Sequence, residues 1–265
     1  MKRIMLTAFA AALALTAFTG CSKKKTAAGD QLAAVKAKGE IIFATEGTWA
    51  PWTYHNESDE LTGFDVEVSK KIAEKLGVKA TFVETEWDGI FAGIDAKRYD
   101  MTLNGVEITE EREQKYDFST PYCYSPMALI VLDTNTDITK FEDLKGKTTA
   151  NSLASTYAVT AEKYGAKVQT IDSFEETIKL LVQGRIDATL NDATSFYDYK
   201  KVHPETPIKI AKLNDSPSQI AIPFRKGNES AALREAVNKA IDELRTDGTL
   251  SALSARYFGF DASKK

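Results

Sequence analysis

Asn104-Gly105 and Asn191-Asp192 are polar pairs that end two matching segments of the chain. The first segment is Arg98-Tyr99-Asp100-Met101-Thr102-Leu103-Asn104, and the second is Arg185-Ile186-Asp187-Ala188-Thr189-Leu190-Asn191, 87 residues later. Trp87-Asp88 and Phe174-Glu175, which open the helix expected before each segment, fall at the same offset. Chance recurrence of common residue types is the alternative, and the matching helix starts weigh against it. Two copies this far apart do not make a solenoid, which stacks several short repeats; they suggest two similar α/β lobes. Ligands of α/β sheets bind beyond the carboxyl ends of the strands, so a cleft between the lobes would be lined by both polar pairs.

Other chemistries have little to work with. Two cysteines and two histidines, with no CxxC pair, are too few soft ligands for a Cys/His metal centre. His55 lies in a polar loop and His203 precedes Pro204, and there is no GxSxG or phosphate-loop motif. No cofactor is expected.

The elements that must hold these residues alternate. Ile41–Ala44 and Val78–Val83 are short apolar runs of the kind that form buried strands. Between them Phe64, Val68, Ile72 and Leu76 recur every four residues and Gly77 follows, predicting an amphipathic helix. Ser173 and Glu176 have capping-box spacing ahead of Ile178, Leu181 and Val182, and Ile186–Leu190 is read as the next strand. Leu233, Val237, Ile241 and Leu244 mark a long helix closed by Asp247-Gly248. Strands alternating with helices predict an α/β protein with largely parallel sheets.

Of the 265 residues 43% are hydrophobic and 27% charged, a globular composition; the net charge of −4 gives no basic surface for nucleic acid. Lys2 and Arg3 precede an uncharged stretch, Ile4–Phe18, too short to span about 30 Å of hydrocarbon as a permanent helix. It reads as a secretory signal over residues 1–20. Phe18-Thr19-Gly20-Cys21 resembles a lipoprotein processing site, with Cys21 to be acylated; an ordinary signal with an incidental cysteine is the alternative. Residues 21–38 are expected to be a flexible tether. Cys123 is the only other cysteine, so the body is expected to rest on a packed core rather than a disulfide.

Four segments then carry a resemblance: Leu61-Thr62-Gly63-Phe64-Asp65-Val66-Glu67-Val68, Ile108-Thr109-Glu110-Glu111-Arg112, Tyr116-Asp117-Phe118-Ser119-Thr120-Pro121-Tyr122, and Asp247-Gly248-Thr249 with Arg256-Tyr257-Phe258-Gly259. The chain resembles, over nearly all of its exported part, the extracellular solute-binding proteins of bacterial ABC importers for polar amino acids. The resemblance implies a periplasmic-binding-protein-like fold of two α/β lobes joined by two crossover strands. Lobe 1 would comprise residues 39–125 and 218–265, and lobe 2 residues 126–217. It also implies a monomer held outside the cytoplasm, at the membrane, through lipid on Cys21. That protein would bind a free L-amino acid by hinge closure and deliver it to a permease driven by a cytoplasmic ATPase.

Site residues follow from the same resemblance. Arg112 matches the family's carboxylate-binding arginine; taken alone it would read as a surface arginine paired with Glu110 or Glu111. Ser155 and Thr156 open a helix whose N–H groups and hydroxyls suit the second carboxylate oxygen, though Ser155 alone is equally a helix cap. Asp192 matches the acid that meets the α-ammonium, with a helix N-cap as its alternative. Trp49 and Trp87 would sandwich the ligand side chain, Glu46 would touch it, and Asn104 and Gly105 would line the cleft. Glu107 stands where relatives carry a small or hydroxyl residue; it either faces solvent or adds charge to the pocket. Glu46, Glu107 and Asp192 against Arg112 would make the pocket acidic and favour cystine or a basic amino acid. A dehydratase-like enzyme using Glu107 and a ligand-sensing protein are the rival readings.

Overall fold

A computed structural model describes residues 30–265; the signal segment and Cys21 lie outside the described residues. The described residues open with helix α1 (Gln31–Lys38), which corrects the expected tether over its last eight residues. Asp30 Oδ1 accepts from Ala33 N–H at 3.2 Å, Gly39 ends the helix at φ 75°, and Val35 is 2% exposed in the core. An N-cap and one buried valine anchor this Ala- and Lys-rich segment, so its composition hid an ordered helix.

Lobe 1 is built on three parallel strands, with Glu40–Thr45 central between Lys79–Glu84 and Met101–Thr102. Helix α2 (Phe64–Leu76) crosses between the first two and buries Phe64, Val68, Ile72 and Leu76, the face its four-residue periodicity predicts. Helix α3 (Trp87–Asp95) leads to Met101–Thr102, and the short α4 (Glu110–Lys115) follows. The last two helices of the chain, α8 (Asn228–Thr246) and α9 (Thr249–Phe258), pack back onto α2. Leu233, Val237, Ile241 and Leu244 therefore share one core with Val35, Phe43, Phe64 and Ile72. Each such aliphatic side chain, fully buried, contributes roughly 1.5–3 kcal/mol.

Lobe 2 draws its buried clusters from residues 127–213 alone. Helices α5 (Thr156–Lys163), α6 (Phe174–Val182) and α7 (Ala193–Val202) flank its strands. Thr148–Asn151 and Lys167–Thr170 run parallel, and a bridge from Thr149 to Ala188 continues them toward Thr189–Asp192. Met127–Leu132, however, is antiparallel to both Thr189–Asp192 and Ile208–Leu213. It enters directly from the crossover rather than through a helix, so the expectation of largely parallel sheets fails here. Val182, expected on the apolar face of α6, is 43% exposed. The lobes are joined by two short antiparallel strands, Cys123–Ser125 and Ser218–Ile220.

Candidate functional site

The cleft is assembled from strand ends. Immediately after Glu40–Thr45, Glu46 N–H donates to Asn104 Oδ1 at 2.8 Å, and Asn104 Nδ2 donates to the Glu46 carboxylate at 2.5 Å. Asn104 is fully buried and also accepts from Thr45 Oγ1, so this amide fixes the ends of two adjacent strands. Gly105 follows at φ 57°; a Cβ there would lie 2.5 Å from the Trp49 ring, so both the backbone and the indole require glycine. Asp65 holds the same turn, accepting from Gly105 N–H at 2.6 Å and from Tyr122 Oη at 2.9 Å.

Arg112 is presented by α4, whose cap Thr109 accepts from Arg112 N–H at 3.2 Å. Among the described residues its guanidinium meets backbone carbonyls and rings, not carboxylates. Nη1 donates to Glu107 O at 3.0 Å, Nη2 lies 3.5 Å from Ala154 O of lobe 2, and Trp87 and Phe91 lie 5.3 Å away. Burial pulls its pKa down, and the charges of Glu107 and Glu111 oppose that shift without making an ion pair with the guanidinium. Glu111 pairs instead with Lys115 at 3.6 Å.

From lobe 2, Ser155 caps α5 by accepting from Ala158 N–H at 3.1 Å, and Thr156 is the first helical residue. The positive end of that helix dipole faces the cleft. Trp49 Nε1 donates to Asn191 Oδ1 at 3.1 Å and Trp52 Nε1 to Thr194 Oγ1 at 2.9 Å, so two indoles of lobe 1 are hydrogen-bonded to lobe 2. Between the lobes lies a narrow cavity of ≈ 50 Å³, room for a few water molecules.

Eight of the ten expected ligand-binding residues line this cavity: Glu46, Trp49, Trp87, Asn104, Gly105, Arg112, Ser155 and Thr156. Two are placed elsewhere. Asp192 is 3% exposed and serves as the N-cap of α7, its Oδ1 accepting from Ser125 Oγ, Thr194 N–H and Thr194 Oγ1 at 2.6–2.8 Å. Those bonds fix Oδ1 as the helix cap; burial raises the carboxyl's pKa to about 6 against their opposing effect. Glu107 is half-buried, its backbone bridged to Ile220, and lines an outer groove that shares Trp87, Arg112 and Thr156 with the cavity. Of the three expected acids, Glu46 lines the cavity, its pKa raised to about 7 chiefly by burial, with Asn104 opposing and Asp172 adding to the shift.

Asn191, expected at the cleft from its strand-end position, also lines the cavity, as do Asn151, Tyr157 and Asp172, which were missed. Asn151 ends one strand and Asp172 lies just beyond the next, so the strand-end rule applied to every strand would have found both.

Two α/β lobes with a polar, aromatic-walled cleft define a binding protein for small solutes. The family model for bacterial extracellular solute-binding proteins, family 3, matches residues 41–260, and the chain belongs to that family. It is 40% identical over 272 residues to the L-cystine-binding protein TcyA of Bacillus subtilis (strain 168), covering 100% of each chain. Among solved structures, an ancestral arginine-binding protein bound to arginine superposes with a TM-score of 0.77 at 36% identity, covering 83% of this chain and 99% of that one. The unliganded, open L-cystine solute receptor of Neisseria gonorrhoeae gives 0.60 at 39% identity, covering 89% and 100%. Similar identity with a better fit to the liganded form agrees with lobes drawn together here. The chain is thus an extracytoplasmic solute-binding component of an amino-acid ABC transporter.

Proposed function

We propose that the cleft binds cystine or a basic L-amino acid, gripping its α-carboxylate between Arg112 and the start of α5. The observation that carries this reading is the pair of uncompensated charges in one cavity. Arg112 makes no hydrogen bond or ion pair with a carboxylate among the described residues, only longer-range contact with the charges of Glu107 and Glu111, and Glu46 has no lysine or arginine among the groups that shift it. A buried charge without a partner is costly, and a ligand carrying both signs would satisfy both. Trp49 and Trp87 supply flat apolar walls for the ligand's side chain. TcyA and the gonococcal receptor, both named for L-cystine, and the arginine-bound ancestor support the same ligand class.

Binding is coupled to closure. A ligand that touches both lobes stabilises only the closed form, and its differential affinity drives the hinge motion. The lobes meet through Trp49–Asn191 and Trp52–Thr194 when closed. The closed protein, a monomer tethered by lipid on Cys21, then delivers its ligand to the permease. It acts as a carrier rather than an enzyme: Glu107, the candidate general acid, lines the outer groove and not the cavity. Mass spectrometry of the small molecule released on denaturing the purified protein tests the assignment. Cystine or a dibasic amino acid is expected; a sugar, a peptide or glutamate would refute it.

A further inference from the structure

We propose that Asn151 and Asp172 of lobe 2, facing Glu46 of lobe 1, form a subsite for a second ammonium group on the ligand. This rests on the amino-acid reading above and specifies its chemistry further. Asn151 and Asp172 stand at the carboxyl ends of the paired strands Thr148–Asn151 and Lys167–Thr170, tied together where Ser152 Oγ donates to Asp172 O at 3.3 Å. Asn151 is 3% exposed, and its Nδ2 is committed to Leu190 O at 2.6 Å. Its Oδ1 is left without a donor. Of the buried side-chain polar atoms that lack a partner among the described residues, it alone belongs to a residue lining the cavity. A buried acceptor in that state calls for a donor, and no described residue supplies one.

Among the described residues the cavity wall holds two carboxylates, Glu46 and Asp172, and one cation, Arg112, so once Arg112 meets the ligand's α-carboxylate the remaining acceptors favour a second ammonium over a carboxylate or amide. Glu46 has Asn104 as its hydrogen-bond donor and Asp172 as its charged neighbour across the gap. Bringing those two carboxylates together costs free energy in the closed form unless a cation lies between them. An ammonium donating to Asn151 Oδ1 while balancing Glu46 and Asp172 removes that cost. The ammonium could belong to the second amino-acid half of cystine or to the end of a lysine-like side chain. Both share the requirement for a second positive group.

Titration calorimetry with L-cystine, L-lysine, L-glutamine and L-norleucine tests the subsite, using the wild type, Asp172→Asn and Asn151→Leu. Wild type is expected to prefer cystine or lysine over glutamine and norleucine, and whichever of the two binds more tightly identifies the source of the ammonium. Asp172 is exposed, so Asp172→Asn should leave the melting temperature unchanged. It should weaken the preferred ligand about tenfold, the scale of a lost charge-assisted hydrogen bond. Asn151→Leu should do the same, and if it fails to fold, Asp172→Asn decides alone. Loss of less than twofold, or equal losses for the mono- and diammonium ligands, overturns the subsite. Tight wild-type binding of glutamine overturns it while leaving the amino-acid reading intact; no binding of any amino acid overturns that reading first.

Discussion

In lobe 1, Asp100 accepts from Ile42 N–H at 2.9 Å and Thr102 Oγ1 donates to Ala44 O at 2.8 Å; in lobe 2, Asp187 accepts from Thr148 N–H at 2.7 Å and Thr189 Oγ1 donates to Ala150 O at 2.9 Å. The helices before them, α3 and α6, both have nine residues. Residues shared by the two copies therefore do the same work, clamping one strand to the next. At the strand ends the copies part. Asn104 folds back onto Glu46 and Gly105 adopts φ 57° under Trp49, whereas Asn191 reaches across the cleft to Trp49 and Asp192 caps α7 at φ −66°. The repeated unit kept its internal docking while its strand ends took different jobs at the gap, which is where the two halves of a ligand site must differ.

That asymmetry predicts where substitutions hurt most. Arg112 is the one cavity-lining cation among the described residues, and lobe 2 lines the cavity with no equivalent. Arg112→Ala should cost at least about a hundredfold in affinity, the range for truncating one member of a buried charge pair. Its circular dichroism should match wild type, because the side chain is outside the core clusters; unchanged affinity would refute its role. Gly105→Ala comes next. It places a Cβ 2.5 Å from the Trp49 ring at a positive φ, so roughly 1–3 kcal/mol of stability should be lost in thermal melts, along with ligand affinity. Asp192→Ala, at the matching position of the second copy, should cost about 1 kcal/mol through the lost helix cap. If the two substitutions proved equal, the strand ends would not be specialised as argued.

The repeat, the helix faces and most of the cleft were legible in the sequence because each left a local signature. Phe64, Val68, Ile72 and Leu76 repeat at helical spacing, and Asn104 sits where a strand must end. Asp192 suits both a helix cap and an ammonium partner. Its Oδ1 is held as the cap of α7 by Ser125 and Thr194, and Ser125 approaches from a distant crossover strand that no local pattern reveals. The strand expected at Ile186–Leu190 runs instead over Thr189–Asp192, since its register is set by pairing with Met127–Leu132 from the crossover. Asn151 was silent for the same reason: its value lies in an acceptor left over after Leu190 takes its amide, a tertiary fact.

A smaller effect separates the lobes by pH. Glu46 is raised from 4.5 to about 7, so the folded protein holds a proton there between those values that the unfolded chain releases. Stability from this group is greatest at low pH and declines as pH rises through about 7. Affinity for a cationic ligand runs the other way: binding requires the carboxylate, so affinity should fall up to about tenfold per pH unit below 7. The charged group facing Glu46 is Asp172, and Asn104 is its donor. Calorimetry from pH 5 to 8 should show this slope, and Glu46→Gln should flatten it while raising the melting temperature of the ligand-free protein at pH 8. A slope that survives the substitution would assign the titration to another group.

The smallest effect bears on the shared residues themselves. Asp100→Ala and Asp187→Ala each remove one acceptor from a backbone N–H at the start of the neighbouring strand. Neither carboxylate lines the cavity, so ligand affinity should change less than threefold, while each variant should lose about 1 kcal/mol of stability. Asp100 is half-buried and Asp187 exposed, so the lobe 1 substitution should be the more costly of the two, because water can replace the lost acceptor more readily in lobe 2. Hydrogen exchange would localise the loss to Ile42 in one variant and Thr148 in the other. Should either substitution lower affinity as much as it lowers stability, the clean division between docking residues and cleft residues would not hold for that copy.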